Sequence, residues 1–198
     1  MDRISDRFNL EKQVTFYMSY HYNPINQWLH FICIWPILIT AVCMLAESPE
    51  LAPQPEFLKN LPFGQYMVLN YSAIGAAIYM AWYIALDLVA GGLGAALVFA
   101  SYIFANYLQQ TAPTNYGVAG WQIALPIHII AWIIQFIGHG VFERRKPALL
   151  DSLDQAIVTA PMFVLLEVLF SLGYRKAFFA KVMKQVEINV KAFHGKSV

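Results

Sequence analysis

Residues 88–142 read LVAGGLGAALVFASYIFANYLQQTAPTNYGVAGWQIALPIHIIAWIIQFIGHGVF, and none of them is Asp, Glu, Lys or Arg. A helix crosses the hydrocarbon core of a bilayer with roughly 20 apolar residues, so this run holds two spans and a turn. Two further charge-free runs precede it, residues 13–46 and 61–86. Of 198 residues, 59% are hydrophobic and 13% charged, against roughly 45–50% and 25% in a soluble domain. The chain lacks the polar surface that a water-soluble core requires. The expected fold class is therefore all-α, a polytopic integral membrane helical bundle of four to five spans with amphipathic terminal helices.

The whole chain, 1–198, reads as a single membrane domain. Residues 1–25 form an N-terminal interfacial segment, 26–172 the helical core, and 173–198 a basic amphipathic tail. Asn23-Pro24 breaks the first helix, because a residue before proline avoids the helical region. Spans are expected over Asn26–Ala46, Gly64–Leu86, Leu88–Tyr107 and Trp121–Phe142. A loop is expected over Glu47–Pro62, a turn at Asp87, a polar turn over Gln109–Gly120, and a charged loop over Glu143–Asp154. Gly91, Gly92 and Gly94 allow close helix contact. A fifth apolar segment, Gln155–Leu172, is interrupted by Pro161 and Glu167 and reads as re-entrant or interfacial. In the tail, Phe178, Phe179, Val182, Val186 and Phe193 oppose Lys181, Lys184 and Lys191, the pattern of a helix lying on an anionic lipid surface. Basic residues cluster before the first span, at Arg144–Lys146 and in the tail, which places those segments in the cytosol. A net charge of +1 offers no field for nucleic acid. Oligomeric state is not set by any of these features. Cys33 and Cys43 would lie about 15 Å apart on one helix, too far to pair.

Ionisable groups at membrane depth are costly and usually functional. His21 and His30 fall at the entrance of the first span and His139 at the exit of the fourth, so charge-based topology puts all three at one depth. Glu143 follows His139 by four residues, on the same side of a helix. His21, His30, His139 and Glu143 therefore form a candidate metal site. Imidazole suits iron, zinc, copper and nickel, and histidine plus carboxylate with open positions suits non-haem Fe(II) and oxygen. His128 shares a face with His139 but stands about 16 Å away along the axis. It serves a second metal, lines a substrate tunnel, or hydrogen-bonds a neighbouring helix. Glu143 has an alternative as partner of Arg144 or Arg145, and Arg144, Arg145 and Lys146 are either an orientation signal or a site for an acidic headgroup.

Two blocks carry a resemblance. One is Tyr20-His21-Tyr22-Asn23-Pro24-Ile25-Asn26 with Leu29-His30; the other is Trp132-Ile133-Ile134-Gln135-Phe136-Ile137-Gly138-His139-Gly140 followed by Val141-Phe142-Glu143-Arg144-Arg145-Lys146-Pro147. Together they resemble the yeast 2-hydroxypalmitic-acid dioxygenase family. The likeness runs from about Phe16 to Tyr174, and the chain departs from the pattern at Tyr22, where a second histidine is expected. The resemblance implies an enzyme of the endoplasmic reticulum membrane with its active-site side facing the cytosol. It implies Fe(II) and O₂, a 2-hydroxy fatty acid substrate shortened by one carbon, and a place in phytosphingosine breakdown. By motif, it implies His21, His30 and His139 as catalytic metal ligands, with Glu143 beside them and His128 a weaker candidate. In that setting Arg144, Arg145 and Lys146 neutralise the substrate carboxylate, Asn23 and Asn26 orient the histidines and line the substrate, and the acyl tail runs between helices. The rival readings are another membrane metal enzyme, a hydroxylase or hydrolase, and a small transporter or structural protein with packing histidines. The absence of HxxH clusters counts against a di-iron hydroxylase.

Overall fold

The computed structural model describes residues 4–146 and 155–195. Helix α1 (Ile4–Arg7) and helix α2 (Leu10–Tyr20) come first, and α3 (Pro24–Ala46) follows a short corner. After a loop with one turn of helix, α4 (Glu56–Lys59), come α5 (Tyr71–Leu86), α6 (Leu88–Tyr116) and α7 (Gly120–Ile137). Helix α7 widens into a π-helical turn, Gly138–Glu143; a second π-helical turn, Gln155–Thr159, leads into α8 (Ala160–Ser171), and α9 (Lys176–His194) ends the described chain. Every regular element among the described residues is helical, as an all-α membrane bundle requires, because only helices or closed barrels satisfy their backbone in lipid.

Helices α3, α5, α6 and α7 run alternately up and down. At one end, the distal end, Asn70 Nδ2 donates to Ala46 O (3.2 Å) and Trp121 N to Glu47 Oε1 (2.9 Å). At the opposite, proximal end, Glu143 meets the corner before α3. Among the described residues, three helical stretches are long and apolar enough to cross a membrane, Pro24–Ala46, Leu88–Tyr116 and Gly120–Glu143. Their outer faces expose Ile32, Leu93, Ile130, Ile133 and Phe136, the pattern of a lipid-facing surface.

Two expected boundaries change. The span expected from Gly64 starts at Tyr71, because Asn70 caps it with its side chain on Ser72 N and Ala73 N. At 16 residues this helix is about 24 Å long, short of a full crossing. The polar turn expected over Gln109–Gly120 is mostly helix: α6 continues through Pro113 to Tyr116, and Gly117, at φ 71°, ends it. Such a left-handed residue is the usual helix stop, and glycine adopts it without strain. Of the small residues in α6, Gly91 and Gly94 press on Tyr83 of α5, whereas Gly92 faces open space. The expected charged loop lies largely outside the described residues.

The fifth apolar segment and the tail form a pair bent by 116°. Ile157 sits at mid-bundle, where its carbonyl accepts from Tyr79 OH (2.9 Å). Helix α8 returns to the proximal end, where Arg175 pairs with Asp87 (2.6 Å) and Tyr174 OH donates to Asp87 Oδ1 (2.9 Å). From Ile157 the described chain thus runs from mid-bundle to the proximal end. Helix α9 departs from expectation. Its apolar face meets protein: Val182 and Val186 are fully buried, Asn189 donates to Ser19 Oγ (3.0 Å), and Lys181 donates to Glu11 (2.6 Å). Helix α2 presents the complementary stripe, Leu10, Val14, Tyr17 and Met18.

Candidate metal centre

Local sequence builds the site from two corners. Helix α2 ends at His21, which is its C-cap. Two residues later Asn23 caps α3, its side chain accepting from Ile25 N (2.9 Å) and Asn26 N (3.3 Å), with Pro24 at the first helical position. Asparagine at the cap and proline at the first position are the strongest helix-start chemistry. The corner folds His21 back against His30, which lies almost two turns into α3. His139 arrives from α7, in the π-helical turn. Single π turns concentrate at functional sites.

The three imidazoles are buried, and one nitrogen from each lies within 4.8 Å of the others. Ring centroids stand 4.2 Å apart for His21–His30, 4.8 Å for His21–His139 and 5.0 Å for His30–His139. The hydrogen bonds fix two tautomers. His21 Nδ1 lies 2.7 Å from Tyr17 O and His30 Nδ1 2.8 Å from Asn26 O. A carbonyl only accepts, so each Nδ1 carries the proton and each Nε2 presents a lone pair. Those two Nε2 atoms face each other at 2.9 Å. With both rings neutral and both Nδ1 protonated there is no proton between them, and the contact sets lone pair against lone pair. A shared cation removes the repulsion. Two nitrogens about 2.1 Å from one ion at right angles stand about 3.0 Å apart, which fits the observed gap. His139 Nδ1 is buried with no partner, an orphan costing about 1–3 kcal/mol unless it is used. Burial, then the neighbouring His30 and His139, hold His21 well below the ordinary histidine pKa, so it stays neutral, as a ligand must. The residues present therefore fit a metal ion, and ligating histidines habitually donate their second N–H to a carbonyl, as these do.

Glu143 is placed differently from the expectation of a fourth ligand. One oxygen accepts from Tyr22 N (3.1 Å); the other accepts from Asn23 N (2.9 Å) and Asn26 Nδ2 (3.1 Å). The carboxylate is occupied in clamping the α2–α3 corner to the π turn that carries His139. Asn26, fully buried, braces that clamp through its side chain and His30 through its carbonyl; Asn23 is a helix cap. Gly138 completes the joint, because a Cβ there would strike Asn26 Oδ1.

His128 is not brought to the cluster. Its Nε2 accepts from Trp132 Nε1 (3.0 Å), and its Nδ1 pairs with Thr40 Oγ1 (2.9 Å), which donates onward to Pro36 O (2.6 Å). Both nitrogens are used, which leaves no lone pair for a metal and selects the helix–helix hydrogen bond. Arg145 donates to Ser19 O (2.8 Å) and stacks on Tyr20 at 3.4 Å and Phe193 at 4.4 Å. It binds α2 to α9, while Arg144 and Lys146 are exposed. Tyr17 and Gln135 were missed as neighbours of the histidines, whereas Asn26 was expected to orient them and accepts from His30 Nδ1 through its carbonyl. Each lies four residues before one of them, on the same helix face, so periodicity alone pointed to Tyr17 and Gln135 as well.

The fold and this site define a class: an α-helical membrane bundle with a buried three-histidine centre suited to a metal ion. The family model described as "2-hydroxy-palmitic acid dioxygenase Mpo1-like" matches residues 8–172, and the chain belongs to this Mpo1-like family. It is 32% identical over 181 residues to the 2-hydroxy-palmitic acid dioxygenase MPO1 of Saccharomyces cerevisiae, covering 91% of each chain. No solved structure matches.

Proposed function

We propose that this protein is an Fe(II)-dependent dioxygenase that converts a 2-hydroxy fatty acid, with O₂, to the acid one carbon shorter. The observation that carries the reading is the pair of bare Nε2 atoms at 2.9 Å, closed by His139 and held by backbone carbonyls. His21, His30 and His139 would hold the ion, and iron in that setting would bring the 2-hydroxy acid and O₂ together. The chain's own groups do the rest. Tyr17 O and Asn26 O keep both Nδ1 protons away from the centre. Glu143 fixes the angle between the two histidine-bearing elements. Gln135 Oε1, buried without a donor, lies one turn before His139 and accepts the O–H of the substrate. Arg144 and Lys146, at the rim, attract its carboxylate. The overall change, 2-hydroxy acid plus O₂ to shorter acid, CO₂ and water, balances without an added reductant.

The matched yeast relative is named for 2-hydroxy-palmitic acid, which makes a long-chain acid from sphingoid-base breakdown the substrate to test. Loop charge assigns the proximal end to the cytosol, and the endoplasmic reticulum is the membrane this reading requires. The test is product analysis: purified protein in lipid, Fe(II), air and 2-hydroxypalmitic acid. Pentadecanoic acid, absent when the metal is chelated, is the expected result. An unchanged substrate, or the same yield in chelator, would sink the proposal.

A further inference from the structure

A cavity of about 230 Å³ lies between α3, α7, Tyr79 of α5 and the segment entering α8, lined by Ile34, Leu38, Ala41, Trp132, Ala156 and Pro161 among others. Its walls belong to the helix faces that carry the histidines. Along α3, His30 is followed by Ile34, Leu38 and Ala41 at steps of four, four and three. Along α7, counting back from His139, come Gln135, Trp132 and His128 at steps of four, three and four. These spacings keep one face. The cavity therefore starts one turn below the imidazoles and extends about 10 Å further along α3, within one seam. Its lining is apolar apart from His128, Tyr79 OH and the indole of Trp132, whose polar atoms are hydrogen-bonded to protein: His128 to Thr40 and Trp132, and Tyr79 to Ile157 O. No unsatisfied polar atom lines it, so an aliphatic chain fits it and a polar ligand does not.

Resting on the reaction read above, we infer that this cavity holds the acyl chain of the substrate, and that Ala41 and Ala156 set how long a chain is accepted. With the carboxyl and hydroxyl at the histidines, a chain directed along this seam would meet the cavity one turn on. Ala41 lies deepest along α3, and Ala156 closes the wall from the segment entering α8. Both are small where a larger side chain would fill the space. His128 is then a positioning residue, holding Trp132 and Thr40 as the polar-backed wall.

The experiment uses the full chain in lipid with Fe(II), comparing 2-hydroxypalmitic with 2-hydroxyoctanoic acid. Ala41→Trp and Ala156→Phe come from different elements, so one reports if the other fails to fold. In each folded variant the ratio of turnover on the long acid to the short acid falls about tenfold or more, the scale on which apolar pockets discriminate by size. A second readout needs no turnover: palmitic acid brominated at its terminal carbon quenches tryptophan fluorescence, and Trp132→Phe removes that part of the quenching. Unchanged ratios in folded variants, or quenching indifferent to Trp132, overturn the assignment. Trp132-dependent quenching without turnover of any 2-hydroxy acid would leave the chain site standing and remove the reaction.

Discussion

At the residue scale, the centre depends on which nitrogen of each histidine carries its proton. Tyr17 O and Asn26 O settle this for His21 and His30, and so turn two side chains into two aimed lone pairs. His30→Ala or His139→Ala is expected to lose bound iron and reduce turnover at least about 100-fold, with the helical circular dichroism unchanged. Metal analysis beside the spectrum checks it, and full iron in either variant removes that residue from the ligand set. Glu143 tests the difference between ligand and clamp. Glu143→Ala frees the corner at Tyr22 and Asn23, and by the usual effect of supporting partners weakens iron binding about 10–100-fold. Glu143→Gln, which keeps one acceptor oxygen for the backbone N–H groups, recovers part of this. Metal titration separates the two: complete loss of stoichiometric iron in Glu143→Gln would mean that the carboxylate itself binds.

At the element scale, close approach of α5 and α6 rests on one glycine more than its neighbours. A Cβ at Gly91 would overlap Tyr83 O, while one at Gly92 meets nothing within 4 Å. Gly91→Ala is therefore expected to destabilise by about 1–3 kcal/mol or more, as overpacking does. Gly92→Ala is neutral or stabilising by up to about 1 kcal/mol, the helix-propensity difference. Thermal unfolding of the two variants in one detergent decides. Helix α9 offers a second case. With Val182 and Val186 fully buried against the bundle, Val186→Asp places an unpaired charge inside protein and releases the helix. Limited proteolysis then cuts the tail of the variant before any other site; equal resistance would mean that α9 is held by lipid instead.

At the scale of the molecule, the alternating path of α3, α5, α6 and α7 puts the Glu47–Asn70 loop at the end opposite the histidines. Segment 155–171 runs from mid-bundle to the histidine end, where the bend to α9 lies. Cysteines introduced at the exposed positions Glu50 and Arg144 are expected to react with a membrane-impermeant thiol reagent from opposite sides of sealed vesicles. Native Cys33 and Cys43 are buried and stay silent. Labelling of both from one side would contradict the path. The position of Pro161 in α8 explains why it is tolerated there. It sits at the start of α8, where the missing N–H is not needed, and helps line the cavity rather than interrupting a span.

Much of this was legible along the chain. Absence of charge over 88–142 established a helical membrane protein, because lipid penalises every unpaired polar group. The two histidine blocks marked the three residues whose nitrogens the fold brings within 4.8 Å of one another, and loop charge placed them at one depth. What the linear order could not supply was pairing across distance. Whether Glu143 would ligate or clamp depended on two backbone N–H groups more than a hundred residues earlier. Whether His128 was free depended on Thr40, and whether the tail faced lipid or protein depended on a stripe on α2. Composition and periodicity are properties of one segment and its solvent, while hydrogen-bond partners and buried faces are settled only when separate segments compete for the same atoms.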